Sequence, residues 1–100
     1  MLHTVNKSPF ERDSLGTCFR LARQGSDVLL IEDAVYAALA GTRLEACVRE
    51  AMTRCSIYVL KEDVEARGIC IGALIPGIET VDYGGFVDLA VRNDSVQSWL

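Results

Sequence analysis

The side chains in this sequence with the widest chemical scope are four cysteines, at positions 18, 47, 55 and 70. Thiolates attack disulfides and, in sets with imidazoles, hold zinc. No two of these cysteines form a Cys-X-X-Cys pair, and the chain has a single histidine, His3. This spacing disfavours a metal site, so we expect no bound metal. The cysteines are predicted to be free thiols, as is usual inside cells.

Cys18 is the candidate reactive thiol, because it lies at the margin of an apolar helical stripe. With 3.6 residues per turn it falls about 60° from Leu15. It also lies about ten residues into its predicted helix, where the helix dipole no longer acts. No lysine or arginine stands three or four residues away to stabilise a thiolate. The residues alone favour a buried structural cysteine and leave the reactive role open.

The other cysteines and the histidine have simpler interpretations. Cys47 lies in the middle of an apolar helical stripe and Cys55 at its end, so both are predicted to be buried. Cys70 lies in a glycine-flanked segment that could expose it. His3 stands inside an apolar run, so a hydrogen-bonded structural role is expected; one histidine supports no Ser/His/Asp grouping.

An alternation of strands and helices must position these residues. Five runs have the character of strands, at residues 2–6, 27–32, 56–60, 78–82 and 95–99. The second is continuously apolar, which is typical of a strand covered on both faces. The pattern predicts a single domain over residues 1–100. Its fold class is α/β, a compact three-layer αβα arrangement with a mostly parallel sheet of about five strands, related to Rossmann and flavodoxin folds.

Capping signals mark where the helices begin. Ser8 and Glu11 form a capping box, with Pro9 in the first turn, for a helix over residues 9–24. Thr42 and Glu45 form a second box. Further signals predict a short helical segment from Asp33 to Leu39, a turn at 63–67 and a last helix capped by Asp82.

Composition excludes several classes of function. The net charge is −4 and no run of lysine or arginine exists, which disfavours direct binding to nucleic acid. No run of about 20 apolar residues could span a membrane, and no signal pattern opens the chain, so a cytoplasmic location is expected. The first turn after a strand lacks glycine and cannot cradle a phosphate, so we expect no cofactor. The mean hydropathy of +0.21 predicts that some apolar surface faces other subunits.

The sequence as an ensemble resembles the DsrH/TusB family. The resemblance begins with Leu-His-Thr-Val-Asn-Lys-Ser-Pro-Phe at residues 2–10. It continues with Leu-Ile-Glu-Asp at 30–33, Ala-Arg-Gly at 66–68, Val-Asp-Tyr at 81–83, and a tryptophan at 99. It covers essentially the whole chain, including the predicted DsrE-like sheet fold.

The resemblance implies a role in sulfur transfer. Family members are the smallest of three related subunits, two copies of each forming a cytoplasmic heterohexamer that handles protein-bound persulfide sulfur. The resemblance therefore implies DsrE-like and DsrF-like partner subunits. The principal sulfur-carrying cysteine belongs to a partner subunit. DsrH-type chains carry a cysteine in the first helix, matched here by Cys18, and this favours a DsrEFH-type complex that exchanges sulfur with a DsrC-like carrier during sulfur oxidation. In that interpretation Cys18 is a candidate sulfur acceptor.

Three alternatives stay open. The chain could belong to the TusB branch, whose relay ends in 2-thiouridine at the tRNA wobble position. It could be a non-catalytic structural subunit, in which Cys18 only packs and the apolar surface with Trp99 and Leu100 serves assembly. It could also be a flavodoxin-like module that binds a small molecule, although the glycine-free first turn counts against this.

Overall fold

The computed structural model describes residues 1–10 and 13–100. Its strands are β1 (Leu2–Val5), β2 (Asp27–Leu30), β3 (Ser56–Leu60), β4 (Glu79–Val81) and β5 (Val96–Trp99). Its α-helices are α1 (Ser14–Leu21), α2 (Glu45–Met52), α3 (Lys61–Ala66) and α4 (Tyr83–Arg92). Two 3-10 helices, Glu32–Ala38 and Ile71–Ala73, complete the described elements.

The five strands form one sheet in the order β4-β3-β2-β1-β5, and every neighbouring pair is parallel. β1 is an internal strand that pairs with β2 on one side, Leu2 opposite Asp27, and with the edge strand β5 on the other, Leu2 opposite Val96. Parallel pairing requires a crossover between consecutive strands, which the helices supply. The predicted α/β class with a parallel five-stranded sheet is confirmed, and each predicted strand lies where the apolar runs indicated.

The two faces of the sheet are covered unequally. One face packs against α1, the first 3-10 helix, α2 and α3, and it holds the larger core cluster, which includes Val5, Leu30 and Val59. The other face carries a smaller cluster around Leu2 and Leu29, packed against α4. Alternate residues of each strand point to opposite faces, so Leu2 and Val5 of β1 belong to different clusters.

The first helix is shorter than the predicted span of residues 9–24. It begins at Ser14 after an N-cap residue, Asp13, whose side chain makes no capping hydrogen bond. The Ser8 hydroxyl accepts a hydrogen bond from the Phe10 amide at 3.2 Å. The partner in the predicted capping box, Glu11, lies outside the described residues. After Leu21 the chain turns towards β2, with Gly25 at φ +86, and this turn ends the helix before the predicted residue.

The capping signals further along the chain are realised with small shifts. Asp82 caps α4, its Oδ1 accepting from the Gly85 amide at 2.8 Å, as predicted. At α2 the Glu45 carboxylate accepts from the Gly41 amide at 2.6 Å, while the Thr42 hydroxyl accepts from Leu44. The hydrogen bond from Gly41, and then the Arg49 guanidinium, lower the pKa of Glu45. The helix starts at Glu45, with Leu44 at its N-cap position, and not directly after Thr42.

Candidate functional site

Cys18 lies in the interior, between α1 and the sheet. Its side chain is 0% exposed and belongs to the larger core cluster, beside Leu15 and Phe19 of the same helix. Burial, with a smaller contribution from nearby Cys55, raises the pKa of the Cys18 thiol from 9.0 to about 12. A thiol with that pKa is neutral throughout the physiological range. In this closed structure Cys18 is a small apolar packing residue.

Cys55, the second buried thiol, follows α2 on the same side of the sheet. It is 5% exposed, and its Sγ donates a weak hydrogen bond to the Arg23 carbonyl, 3.8 Å away. Burial raises its pKa as well, although the neighbouring Arg54 guanidinium opposes that shift. The prediction that Cys55 is buried is confirmed, and its environment also keeps the thiol protonated.

The prediction that Cys47 is buried is wrong. Cys47 is exposed, because α2 buries a narrow seam through Val48 and Ala51, and Cys47 lies about 100° round the helix from Val48. Cys70 is also exposed, in the segment before the second 3-10 helix, where the sequence indicated that it could be. The exposed thiols are therefore Cys47 and Cys70, whereas Cys18, the candidate reactive thiol from the sequence, is buried.

His3 has the structural role that was predicted for it. The ring is 4% exposed, and its Nδ1 accepts a hydrogen bond from the Trp99 indole Nε1–H at 3.1 Å. Burial, and then the positive charge of the chain's amino terminus, lower the pKa of His3. The neutral imidazole is the form that can accept this bond, so the pair joins β1 to β5 without carrying charge.

The carboxyl edge of the sheet is where parallel α/β folds bind ligands, at the point where the strand order reverses. Here that point lies between β1 and β5. The Ser14 hydroxyl donates to the Leu100 carbonyl there, at 2.9 Å. Among the described residues, two buried oxygens near this edge accept no hydrogen bond, Asn6 Oδ1 and Glu62 Oε1. No described group of three His, Cys, Asp or Glu side chains could hold a metal ion.

Acidic residues at this edge make turn contacts and ion pairs. Asp63 Oδ2 accepts from the Glu32 amide at 2.7 Å, which holds Glu32 in a left-handed conformation at φ +51. Asp33 pairs with the Arg67 guanidinium at 2.9 Å. These contacts tie the ends of β2 and β3 together and leave the carboxylates of Asp33 and Asp63 engaged within the chain.

Cys18 does not line either of two depressions formed by the described residues. An open depression of about 570 Å³ lies at the amino edge of the sheet, between Met1, His3, Leu21 and Arg23. A smaller one, of about 150 Å³, lies beside Met52, Cys55 and Gly77. Among the described residues, no helix has the length and apolar character needed to cross a membrane. Cys18 is therefore a fully buried thiol that borders neither depression.

Comparison with known proteins gives consistent results along the whole chain. A family model described as DsrH-like protein matches residues 7–96. A protein named TusB from Erwinia tasmaniensis is 45% identical over 100 residues, covering 99% of this chain and 100% of that protein. Another TusB, from Shigella flexneri, is 37% identical over 99 residues, with 99% and 100% covered.

Solved structures share the fold. The YchN protein of E. coli superposes with a TM-score of 0.82 at 24% identity, covering 97% of both chains. A protein of unknown function from Methanobacterium thermoautotrophicum superposes with a TM-score of 0.76 at 13% identity, covering 97% of this chain and 96% of that one. At these identities the similarity concerns the arrangement of strands and helices alone.

Proposed function

Because this chain belongs to the DsrH/TusB family, we propose that it is a subunit of a cytoplasmic complex that relays persulfide sulfur between proteins. The observation that carries the proposal is the extent of the family match, residues 7–96, together with relatives of the same length. The exposed apolar surface supports an assembled state, since small monomers rarely leave such residues uncovered. DsrE-like and DsrF-like chains are the partners that the resemblance implies.

Within this complex, we assign the chain a structural role and the sulfur-carrying thiol to a partner. Accepting sulfur requires the Cys18 thiolate to attack the outer sulfur of a donor persulfide. A bond forms between Cys18 and that sulfur, the donor's S–S bond breaks, and the donor cysteine leaves as a thiolate. Cys18 is 0% exposed and its pKa is raised to about 12, so neither the thiolate nor a path to it is present. This burial favours the structural subunit.

Sulfur transfer to Cys18 is the competing hypothesis. It requires α1 to move away from the sheet, which would also expose Leu15 and Phe19, 3% and 4% exposed in the closed form. Contacts with partner subunits would have to supply the free energy for that movement. The presence of a cysteine in the first helix is the observation that favours this hypothesis and, with it, a DsrEFH-type complex acting with a DsrC-like carrier.

The names of the relatives support the other branch. Curated proteins of the same length, up to 45% identical, are called TusB, and we propose the TusB-type role in tRNA wobble-uridine thiolation as the first candidate. Deleting the gene in its own organism and measuring 2-thiouridine in tRNA tests it. We expect the modification to fall and to return with the wild-type gene and with a Cys18→Ala gene. Intact 2-thiouridine with impaired sulfur oxidation would instead support the DsrEFH-type role.

The structural assignment of Cys18 is tested by mass spectrometry of the reconstituted complex, loaded from a persulfide donor and mapped cysteine by cysteine. We expect the added 32 Da on a partner's cysteine and none on Cys18. Cys18→Ser should leave the transfer rate unchanged, and so should the exposed-thiol control Cys47→Ser. Added sulfur on Cys18, with transfer lost in Cys18→Ser and kept in Cys47→Ser, would establish Cys18 as a relay site.

A further inference from the structure

Helix α4 is apolar on two sides, and only one of them is covered. Its inward side packs Leu89, with Phe86 and Ala90, against Leu2 and Leu29 of the sheet. A second apolar row, at intervals of four residues, stays in solvent: Tyr83 is 58% exposed, Val87 60% and Val91 80%. Residues four apart form one ridge along a helix. This ridge has no partner among the described residues.

The sheet face beneath α4 is left uncovered at its β5 edge. Five strands spaced about 4.8 Å apart present a face roughly 24 Å wide, whereas one helix covers about 10 Å. The contacts of α4 place it over four strands, from β1 to β4. Leu89 packs against Leu2, Arg92 bonds Asp27 at 2.8 Å and Tyr58 at 3.3 Å, and a side chain added at Gly85 would meet Val81. The strip of this face along β5 lies beside the helix, whereas the residues of β1 on this face are buried.

The exposed ridge borders that strip. Gly85 and Arg92 lie on the flank of α4 that faces β3 and β4. At 100° per residue, Tyr83 and Val87 lie on the opposite flank, towards β1 and β5. Val96 of β5 pairs with Leu2, so it shares the face of the sheet on which α4 sits, and it is 49% exposed. We call the set Tyr83, Val87, Val91 and Val96 the α4–β5 surface.

Acidic side chains lie at the border of the α4–β5 surface. Asp88 and Asp94 are exposed at its border, whereas Arg92 is engaged by Asp27. The free edge of β5 carries no charge at all between Val96 and Leu100. The opposite edge, β4, is only three residues long and starts at a glutamate, the usual protection against unwanted strand pairing. The β5 side of the sheet lacks that protection.

We propose that the α4–β5 surface is the docking site for another subunit of the relay complex, which lays an apolar helix with a lysine- or arginine-rich border alongside α4. The inference rests on the proposed function and adds the surface and the chemistry of the partner. A basic border complements Asp88 and Asp94, and a helix fills the uncovered strip. A second copy of this chain fits less well, because a two-fold axis through the surface brings the same aspartates together in a chain of net charge −4.

The test uses the full chain co-produced with the DsrE-like and DsrF-like chains of its own organism. Val87→Glu/Val91→Glu places charge on two exposed residues, so the isolated variant should keep the wild-type circular dichroism and melting temperature. Its affinity for the other subunits should fall about 100-fold or more, because unpaired charges would be buried at the centre of the contact. The matched control is Leu21→Glu on the opposite layer, which is 63% exposed and should assemble normally.

A second pair of measurements fixes the partner's chemistry. Asp88→Lys/Asp94→Lys should weaken assembly about tenfold at low salt and reduce its salt dependence. Sedimentation of the wild-type chain alone should show no dimer that Val87→Glu/Val91→Glu disrupts. Normal assembly of the glutamate double variant, tighter assembly of the lysine variant, or such a dimer would each overturn the proposal. Assembly through this surface without sulfur transfer would overturn the proposed function and leave the docking site standing.

Discussion

The burial of Cys18 predicts a large and selective loss of thiol reactivity. At pH 8 a thiol with the ordinary pKa of 9.0 is about one-tenth thiolate, whereas one with a pKa of about 12 is about one part in 10⁴ thiolate. Ionisation alone therefore slows alkylation about 1,000-fold relative to an unperturbed thiol. Because the side chain is 0% exposed, reaction by the other route requires α1 to open, and the fraction of open chains then limits the rate.

The assay is timed alkylation with iodoacetamide in native buffer, followed by peptide mapping. The exposed Cys47 provides the internal reference, and a sample in 6 M guanidinium provides the unfolded one, in which all four cysteines should react at similar rates. We expect native Cys18 to react about 1,000 times more slowly than Cys47. Alkylation of Cys18 within tenfold of Cys47, in a chain that keeps its melting temperature, would refute the reasoning and restore Cys18 as an accessible nucleophile.

Three further predictions concern stability. Folding raises the pKa of the Cys18 thiol from 9.0 to about 12, so the unfolded chain loses that proton first as the pH rises. Between those pH values the free energy of unfolding of the wild type should fall by up to about 1.4 kcal/mol per pH unit more than that of Cys18→Ala. The same pH dependence in urea denaturation of both proteins would contradict this. Trp99→Phe removes the hydrogen bond to His3 and should lower the free energy of unfolding by about 1 kcal/mol. Because folding lowers the pKa of His3 from 6.5, the wild type should also become less stable as the pH falls below 6.5. The stability of His3→Phe should fall less over the same pH range. Asp82→Ala removes the cap of α4 and should lower the free energy of unfolding by about 1 kcal/mol, against less than about 0.5 for the exposed Asp88→Ala; equal losses would argue against the cap.

The sheet could be predicted from the sequence because its signals are local and strong. The continuous apolar run of β2 leaves no polar face, which only a strand covered on both sides tolerates. The cap of α4 was equally legible, since Asp82 directly precedes the helix that it closes. The end of α1 could not be predicted in the same way. The helix stops after Leu21, where the chain turns towards β2, although no glycine or proline stands between Leu21 and Gly25 to break it.

The candidate site was harder to predict, because burial depends on what each helix packs against. Periodicity placed Cys47 within an apolar stripe, yet the width of the buried seam on α2 is decided by the sheet and the neighbouring 3-10 helix. The same limit applied to α4, where Val87 and Val91 are as apolar as Leu89 but point away from the sheet. The four-residue spacing of Tyr83, Val87 and Val91 was visible in the sequence, and only the strand order could show that it is left uncovered.

The pairing of β1 with β5 has a consequence for how the chain folds. The Thr4 hydroxyl donates a hydrogen bond across these two strands to the hydroxyl of Ser98, 94 positions away in the sequence. The internal strand β1 therefore gains its second neighbour from the far end of the chain. Contacts of such long sequence separation form late. During synthesis the ribosome must therefore release nearly all of the chain while one edge of β1 stays open to other strands. Production together with its partner subunits would shorten the time that this folding intermediate spends exposed.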